Sequence, residues 1–218
     1  MDFETIDVLF RSRQTLLQIL EAKGYNTKPY EKFGPFEIEL MASGKREKSL
    51  RMDLTREVPA DAGIPANCCV EYGIPRVKNR LPGFIKQFLE DEEGNMAFDP
   101  NTTEIIVITL EPIGDTFTNA VLKIWNNSKL RISFFDANTL ISNPLEHVLV
   151  PKHELIPADQ HADLLKSLNC TTKMNLPIIR FHEDIIGRII GLTPGDIVKI
   201  TRQSPQAGEY IVYRICVP

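Results

Sequence analysis

The beginning of the chain repeats apolar side chains at the three-to-four spacing of an amphipathic helix. This apolar face consists of Phe3, Ile6, Phe10, Leu17 and Leu20, with Leu9 and Leu16 beside it. Gly24 stands where a helix commonly ends in a left-handed residue. The pattern predicts a helix that ends near Gly24 and places its basic residues on a solvated face, namely Arg11, Arg13 and Lys23.

Strand patterns follow in the same part of the chain. Residues 36–40 alternate strictly between apolar and acidic side chains, which predicts a half-buried strand. Residues 105–110 form a continuous, mostly β-branched run that is stopped by Pro112, typical of a strand covered on both faces in a mixed α/β sheet. Further candidates are strands at 121–125 and 131–135 and a short helix at 84–89.

The pattern changes at Ser142-Asn143-Pro144, which is turn chemistry. We therefore predict two domains, residues 1–143 and residues 144–218. The second domain is predicted to contain a strand at 147–150, helices from about Pro157 and Asp184, an extended segment at 176–180, and a hairpin of strands 197–201 and 210–217. The predicted fold class is α+β, with a mixed α/β N-terminal domain and a small α+β C-terminal domain.

The charge balance argues against an autonomous nucleic-acid binder. The chain carries a net charge of −4. Residues 1–146 hold 17 Lys and Arg against 22 Asp and Glu, and the remaining residues hold 8 against 7. A contact with DNA must therefore be local or be organised by a larger assembly. Two basic clusters are candidates: the first is Lys45, Arg46, Lys48, Arg51 and Arg56, and the second is Arg76, Lys78 and Arg80.

Targeting and cysteine signals are weak in this sequence. No apolar run approaches the roughly 20 residues that span a bilayer, and the N-terminus lacks the pattern of a secretory signal. The cysteines form no CxxC pair, so we expect four free thiols in a reducing compartment: Cys68, Cys69, Cys170 and Cys216.

Signatures of catalysis, cofactor binding and metal binding are absent from the sequence. There is no GxxxxGK[ST] or GxGxxG phosphate loop, and the histidines and cysteines lack ligand spacing. A metal-dependent nuclease would place Glu-x-Lys on a strand beside another carboxylate. The one such triplet, at 21–23, falls at a predicted helix end. We expect no enzymatic activity, no cofactor and no metal.

The C-terminal part contains a series of specific motifs. They are the heptad His147-Val148-Leu149-Val150-Pro151-Lys152-His153, the pair Leu176-Pro177, the run from Gly191 to Arg202, and the ending Tyr213-Arg214-Ile215. In order and spacing they resemble the family of the fifth subunit shared by eukaryotic RNA polymerases I, II and III, which also has archaeal members. The archaeal members lack the N-terminal half, so the full length is similar to the eukaryotic type.

The resemblance implies a non-catalytic structural subunit of a multisubunit DNA-directed RNA polymerase. Its C-terminal domain would dock on the largest subunit, and its N-terminal domain would form part of the jaw near downstream DNA. The residues expected closest to the duplex are Lys45, Arg46, Lys48, Arg51, Arg76, Lys78 and Arg80. The signature residues that would serve assembly are His147, Val150, Pro151, His153, Pro177, Gly191, Gly195, Lys199, Arg202, Tyr213 and Arg214.

The chain departs from the family pattern at three places, one of which is residues 136–139, where the family's Thr-Pro-Ser-type loop is not clear. Ile185 follows Asp184 where the family usually has proline, and Ile178 stands where a basic residue is usual. Such divergence indicates a large DNA virus as one candidate source of the chain. A cellular organism is the other candidate. The resemblance then implies the nucleus for a cellular protein, and a cytoplasmic viral factory or virion for a viral one. The alternative function is a free-standing transcription regulator or nuclease-like DNA binder that acquired the C-terminal domain.

Overall fold

The computed structural model describes residues 2–43, 49–56, 64–74, 76–90, 96–204, 206 and 208–218, with backbone alone at 87 and 88. The chain divides into two compact units, Met1–Asn143 and Pro144–Pro218. Among the described helices, none has the length and apolar character needed to cross a membrane. Helices and mixed sheets occur in both units, so the predicted α+β class is confirmed.

The described residues of the N-terminal unit form a four-stranded sheet and four helices. The helices are α1 (Phe3–Ala22), α2 (Pro35–Ser43), α3 (Leu81–Leu89) and α4 (Asp115–Ser128). The strands are β1 (Met52–Thr55), β2 (Asn67–Gly73), β3 (Thr103–Thr109) and β4 (Arg131–Asp136), in the spatial order β1-β2-β3-β4. β1 is antiparallel to β2, whereas β2, β3 and β4 run parallel.

The core of this unit lies around β3, which is buried along its whole length. This confirms the prediction of a strand covered on both faces. Helix α4 contributes Phe117, whose ring centroid lies 5.1 Å from that of Phe134 on β4. Helices α1 and α2 pack together through Leu9 and Ile38. The parallel strands place the carboxyl ends of β2, β3 and β4 at one edge of the sheet.

The described residues of the C-terminal unit form a second four-stranded sheet with two short α-helices. Its helices are α5 (His161–Ser167) and α6 (Ile185–Ile190), and its strands are β5 (Lys152–Ile156), β6 (Ile178–Arg180), β7 (Ile197–Ser204) and β8 (Gly208–Val217). The spatial order is β5-β7-β8-β6. The predicted hairpin is confirmed as the antiparallel pair of β7 and β8. Ile156, Ile197 and Ile215 lie in one row across the sheet, in the core under α5.

Helix α1 confirms the first prediction, and Gly24 has the expected left-handed backbone with φ of +90°. The prediction that all three basic residues of this helix are solvated is wrong. Arg13 is only 2% exposed. Its position explains the burial, because residues 9, 13 and 17 are successive members of an i, i+4 row on the apolar face.

The strand prediction at 36–40 is wrong, because these residues belong to α2. A capping arrangement overrides the alternation: Pro35 occupies the first helical turn, and the Glu37 carboxylate accepts the backbone N–H of Gly34 at 3.0 Å. Phe36 and Leu40 consequently point outward, with 67% and 55% exposure.

Two further strand predictions are wrong. Residues 121–125 lie inside α4, where Phe117 and Val121 are fully buried at i, i+4 spacing. The helical period therefore begins at Phe117, before the apolar residues that suggested a strand. Residues 147–150 form a turn, closed by the hydrogen bond from Val150 N–H to the His147 carbonyl at 2.8 Å. The strand of this region begins after Pro151, as β5.

Candidate assembly and nucleic-acid surfaces

The turn before β5 presents apolar side chains to solvent. Val148 is 97% exposed and Leu149 is 83% exposed, with Leu145 nearby at 39%. The turn is ordered by its histidine, since the Leu149 backbone N–H donates to His147 Nδ1 at 3.2 Å. We call Leu145, Val148 and Leu149 the apolar turn. Sequence reasoning missed the exposure of Val148 and Leu149 because it placed them in a strand at 147–150.

The heptad that contains this turn continues into β5, where its residues have local structural partners. The ring Nδ1 of His153 lies 2.7 Å from the Pro151 carbonyl oxygen. Val150 and Pro151 are half-buried, whereas His147 is exposed. The signature heptad therefore combines an ordered scaffold with an exposed apolar surface.

Three side chains, two of them charged, form a row across the C-terminal sheet. Glu154 on β5, Lys199 on β7 and Tyr213 on β8 are directly opposite one another. The Glu154 carboxylate lies 2.6 Å from Lys152 Nζ and 3.7 Å from Lys199 Nζ. The hydrogen bond from the Lys152 ammonium, with the nearby charge of Lys199, holds the pKa of Glu154 below its usual value. Two ammonium groups thus share one carboxylate at this edge.

Other signature residues shape the C-terminal fold. Gly191 and Gly195 have φ of +76° and +97°, the left-handed region that glycine adopts without strain. The Pro177 carbonyl accepts the backbone N–H of Ile215 at 2.9 Å. Arg214 Nη1 donates to the Ile178 carbonyl at 2.9 Å. These side chains and backbones fix turns and strand ends.

Lys199, Arg202 and Arg214 were predicted to lie near one hairpin, and they do lie on β7 and β8. They do not form one surface, because the register places Lys199 on one face of the sheet and Arg202 and Arg214 on the other. Arg202 is exposed and is paired across the strands with Tyr210. Lys199 is therefore the member of this set whose side chain lies beside Glu154 on β5.

The second basic cluster is a turn at the carboxyl edge of the N-terminal sheet. Arg76, Lys78 and Arg80 are all exposed. Arg80 is engaged within the turn, since its Nε and Nη2 donate to the carbonyls of Arg76 and Ile74 at 2.9 and 3.2 Å. Arg76 and Lys78 remain as the outward-facing charges of this turn.

The turn is anchored from β3. The Glu111 carboxylate accepts the backbone N–H of Val77 at 2.8 Å and that of Lys78 at 3.0 Å. Val77 is fully buried beside Gly73, where a Cβ would meet the Val77 Cγ2 at 2.3 Å. The basic turn therefore has a defined position at the edge where β2 and β3 end.

The first basic cluster is not brought into one described surface. Lys45, Arg46 and Lys48 lie outside the described residues. Arg51 makes a bidentate ion pair with Asp53, with nitrogen–oxygen distances of 2.8 to 3.0 Å, and its guanidinium lies 5.7 Å from the Phe98 ring centroid. Its charge is locally compensated, which makes Arg51 a poor candidate for a phosphate contact.

Two buried charges in the N-terminal unit were missed by sequence reasoning. Arg13 donates to the Leu50 carbonyl at 3.0 Å, and its guanidinium lies 5.8 to 5.9 Å from the ring centroids of Tyr30, Phe33 and Tyr72. Lys23 Nζ contacts both carboxylate oxygens of Glu104, at 3.0 and 3.2 Å. Both arrangements stabilise the fold from inside and offer no open surface.

The four cysteines are unpaired, as predicted, and three of them are buried. Burial raises the pKa of Cys216 to about 12, which disfavours a thiolate nucleophile. No group of three or more His, Cys, Asp or Glu side chains within the described residues is placed to hold a metal ion.

Comparisons with known proteins agree with these features. A family model described as RNA polymerase Rpb5, C-terminal domain, matches residues 142–216. The chain is 27% identical over 215 residues to the Dictyostelium discoideum protein named DNA-directed RNA polymerases I, II, and III subunit rpabc1, covering 98% of this chain and 100% of that protein. It is 30% identical over 220 residues to the Caenorhabditis elegans subunit RPABC1, covering 96% and 95% respectively.

Archaeal relatives match a shorter stretch at higher identity. The chain is 49% identical over 72 residues to DNA-directed RNA polymerase subunit Rpo5 of Archaeoglobus fulgidus, which is 33% of this chain and 92% of that protein. The Sulfurisphaera tokodaii subunit Rpo5 is 43% identical over 75 residues, which is 87% of its length. These archaeal proteins are close to the C-terminal unit in size.

Proposed function

The chain belongs to the Rpb5 family of DNA-directed RNA polymerase subunits, and from this premise we propose that it is a non-catalytic structural subunit attached through its C-terminal unit to the largest polymerase subunit. The sequence lacks the motifs that phosphoryl transfer requires, which supports a role in structure. Synthesis of RNA then takes place at a metal site in other subunits. We further propose that the protein works in the nucleus if it is cellular, and in a viral factory or virion if it is viral.

The observation that carries this proposal is the size of the archaeal relatives. A protein named as a polymerase subunit matches this chain over 72 residues that make up 92% of its own length. The family model for the C-terminal domain covers 142–216. A protein of this size is therefore sufficient to be a polymerase subunit, and this supports placing the attachment surface on the C-terminal unit.

On that unit, the apolar turn is the surface best suited to attachment. Val148 and Leu149 are nearly fully exposed although both are apolar, and they are held in an ordered turn. Burial of each side chain against a partner would contribute about 1.5–3 kcal/mol. Because the turn is already ordered, little conformational entropy is lost on docking.

Replacement of the apolar turn tests the attachment. We expect Val148→Asp combined with Leu149→Asp to lower recovery of the largest subunit with the tagged full-length chain at least tenfold. Met174→Asp is the matched control, because Met174 is 69% exposed on the same unit and lies outside the turn. Unchanged thermal unfolding would show that both variants fold. Recovery equal to the wild type for the double variant would refute docking through this turn.

The N-terminal unit is proposed to lie beside downstream DNA, with Arg76 and Lys78 nearest to the duplex. Their exposure and anchored position support a phosphate contact, which carries no sequence information and weakens with salt. The test places photo-crosslinkers at Lys48 and Lys78 in a reconstituted elongation complex. We expect a DNA adduct at Lys78; if neither position reacts while a cleft control does, the clusters are ordinary surface charge. A chain recovered only as a free monomer in gentle salt would favour the free-standing regulator.

A further inference from the structure

Strand β5 is an open edge of the C-terminal sheet. Within the described chain it pairs only with β7, through the register Lys152–Thr201 to Ile156–Ile197. Leu155 and Ile156 are half-buried, whereas their partners on β7, Val198 and Ile197, are fully buried. The two side chains point to opposite faces of the sheet: Ile156 packs against the core under α5, and Leu155 keeps part of its apolar surface exposed at the edge.

The edge carries two charged side chains, but nothing interrupts its backbone. Natural edges are blunted by charged side chains, especially lysine, and by bulges or prolines within the strand. In β5 the charges of Lys152 and Glu154 neutralise one another at 2.6 Å, and Pro151 and Pro157 flank the strand without interrupting it. Five consecutive residues thus retain a regular edge.

The opposite edge of the sheet is less suitable for pairing. Strand β6 has only three residues, Ile178–Arg180. The Ile178 carbonyl already accepts a hydrogen bond from Arg214 Nη1. Side-chain and backbone features therefore single out β5 as the edge that is available to another chain.

We propose that an extended segment of a partner polymerase subunit adds to β5 as a fifth strand, an inference that rests on the attachment proposed above. The added strand would lie about 4.8 Å from β5 and exchange backbone hydrogen bonds with it. Its apolar side chains would cover the exposed part of Leu155, and the chain beyond its end would bury Val148 and Leu149.

Charge defines a further property of the partner segment. Lys152 and Lys199 share the single carboxylate of Glu154, so these three side chains together have an excess of one positive charge. An acidic side chain on the partner strand would compensate this charge. The partner segment is therefore an extended, apolar sequence with a carboxylate near the end that faces Lys152.

Amide hydrogen exchange of the full-length subunit, free and in the assembled polymerase, tests the proposal directly. In the free chain the alternate amides of β5 that face outward should exchange fast, and they should become at least tenfold slower in the assembly. The amides of β6 serve as the internal reference. Equal exchange of the β5 amides in both states would overturn strand addition.

Proline substitution at two adjacent positions provides a second test. The backbone N–H groups of His153 and Glu154 point to opposite sides of β5, so His153→Pro and Glu154→Pro remove one inward and one outward donor. The proline variant that removes the outward donor should fold normally, yet its recovery of the largest subunit should fall at least tenfold. The alanine variant at the same position should recover the largest subunit as the wild type does. Full recovery with both proline variants would contradict the proposal. A further outcome is that the double variant Val148→Asp with Leu149→Asp fails to assemble while the exchange of β5 amides and the recovery of both proline variants are unchanged. In that case the docking proposal stands and strand addition alone fails.

Discussion

Glu111 determines where Lys78 lies, although 33 residues separate them in the chain: its carboxylate accepts the backbone N–H of Lys78 at 3.0 Å. The same oxygen accepts the N–H of Val77 at 2.8 Å. The hydrogen bond from Lys78 is the main cause that lowers the pKa of Glu111, so the carboxylate is ionised at neutral pH. An acidic residue therefore positions a basic turn through its backbone, and its charge also interacts with Arg76 and Lys78.

The first prediction concerns Glu111→Ala. Loss of the acceptor should make the amides of Val77 and Lys78 exchange at least tenfold faster, and it should lower the DNA adduct from Lys78 several-fold in the elongation complex. Glu39→Ala is the matched control, because it removes the same charge from an exposed site on α2. Unchanged amide exchange in Glu111→Ala would refute the anchor independently of any DNA result.

The second prediction concerns the buried ion pair of Lys23 and Glu104, whose side chains are 14% and 8% exposed. Lys23→Met leaves an unpaired carboxylate in the core and should lower the free energy of unfolding by about 3–5 kcal/mol. The double variant Lys23→Met with Glu104→Leu should recover most of that loss, because no buried charge remains. Urea unfolding measures both. The exposed pair of Lys166 and Asp163 supplies the control, since Lys166→Met should change stability by less than about 1 kcal/mol.

A double variant as unstable as Lys23→Met alone would contradict this account. It would mean that the shape of the two side chains, and not their charge, stabilises the site.

Much of the fold follows from local patterns. The apolar period over α1, the continuous run in β3 and the strand β4 were predicted because their patterns are long and agree with their burial. Short segments were misassigned where capping or turn hydrogen bonds outweigh alternation. One such case is the hydrogen bond from the Gly34 N–H to the Glu37 carboxylate. Another is the hydrogen bond from the Val150 N–H to the His147 carbonyl.

The candidate surfaces were less predictable than the fold. The exposure of Val148 and Leu149 depends on the turn that closes before Pro151, and apolar residues are usually assigned to the interior. The contact between Glu111 and Lys78 arises because parallel strands end at one edge, which no local pattern contains. The burial of Arg13 did have a local signal, since it occupies the i, i+4 row between Leu9 and Leu17.

The third prediction is that residues 144–218 fold alone. This unit has its own sheet and its own core around Leu176, Ile197 and Ile215. At about 0.05–0.15 kcal/mol per residue, its free energy of unfolding should be roughly 4–11 kcal/mol. Thermal unfolding of the fragment by circular dichroism should show one cooperative transition. A fragment without such a transition at low temperature would contradict an independent module.

The last prediction concerns His182, which burial keeps neutral. Burial, together with the nearby charge of Arg188, lowers the pKa of His182 from 6.5 to about 3. Between these two values the unfolded chain binds a proton that the folded chain does not, so stability is complete above pH 6.5 and falls as the pH decreases toward 3. The loss from this residue is about 1.4 kcal/mol per pH unit.

Comparison of variants isolates this contribution from that of the carboxylates. His182 has a φ of +63°, which asparagine tolerates, so His182→Asn should fold while lacking the titrating group. In urea unfolding at about pH 7 and about pH 5, the wild type should lose about 2 kcal/mol more than His182→Asn. Met174, which is 69% exposed, supplies the control, because Met174→Asn changes no titrating group and should lose as much as the wild type. Equal losses in the wild type and His182→Asn would show that the folded chain binds a proton at His182 as readily as the unfolded chain does.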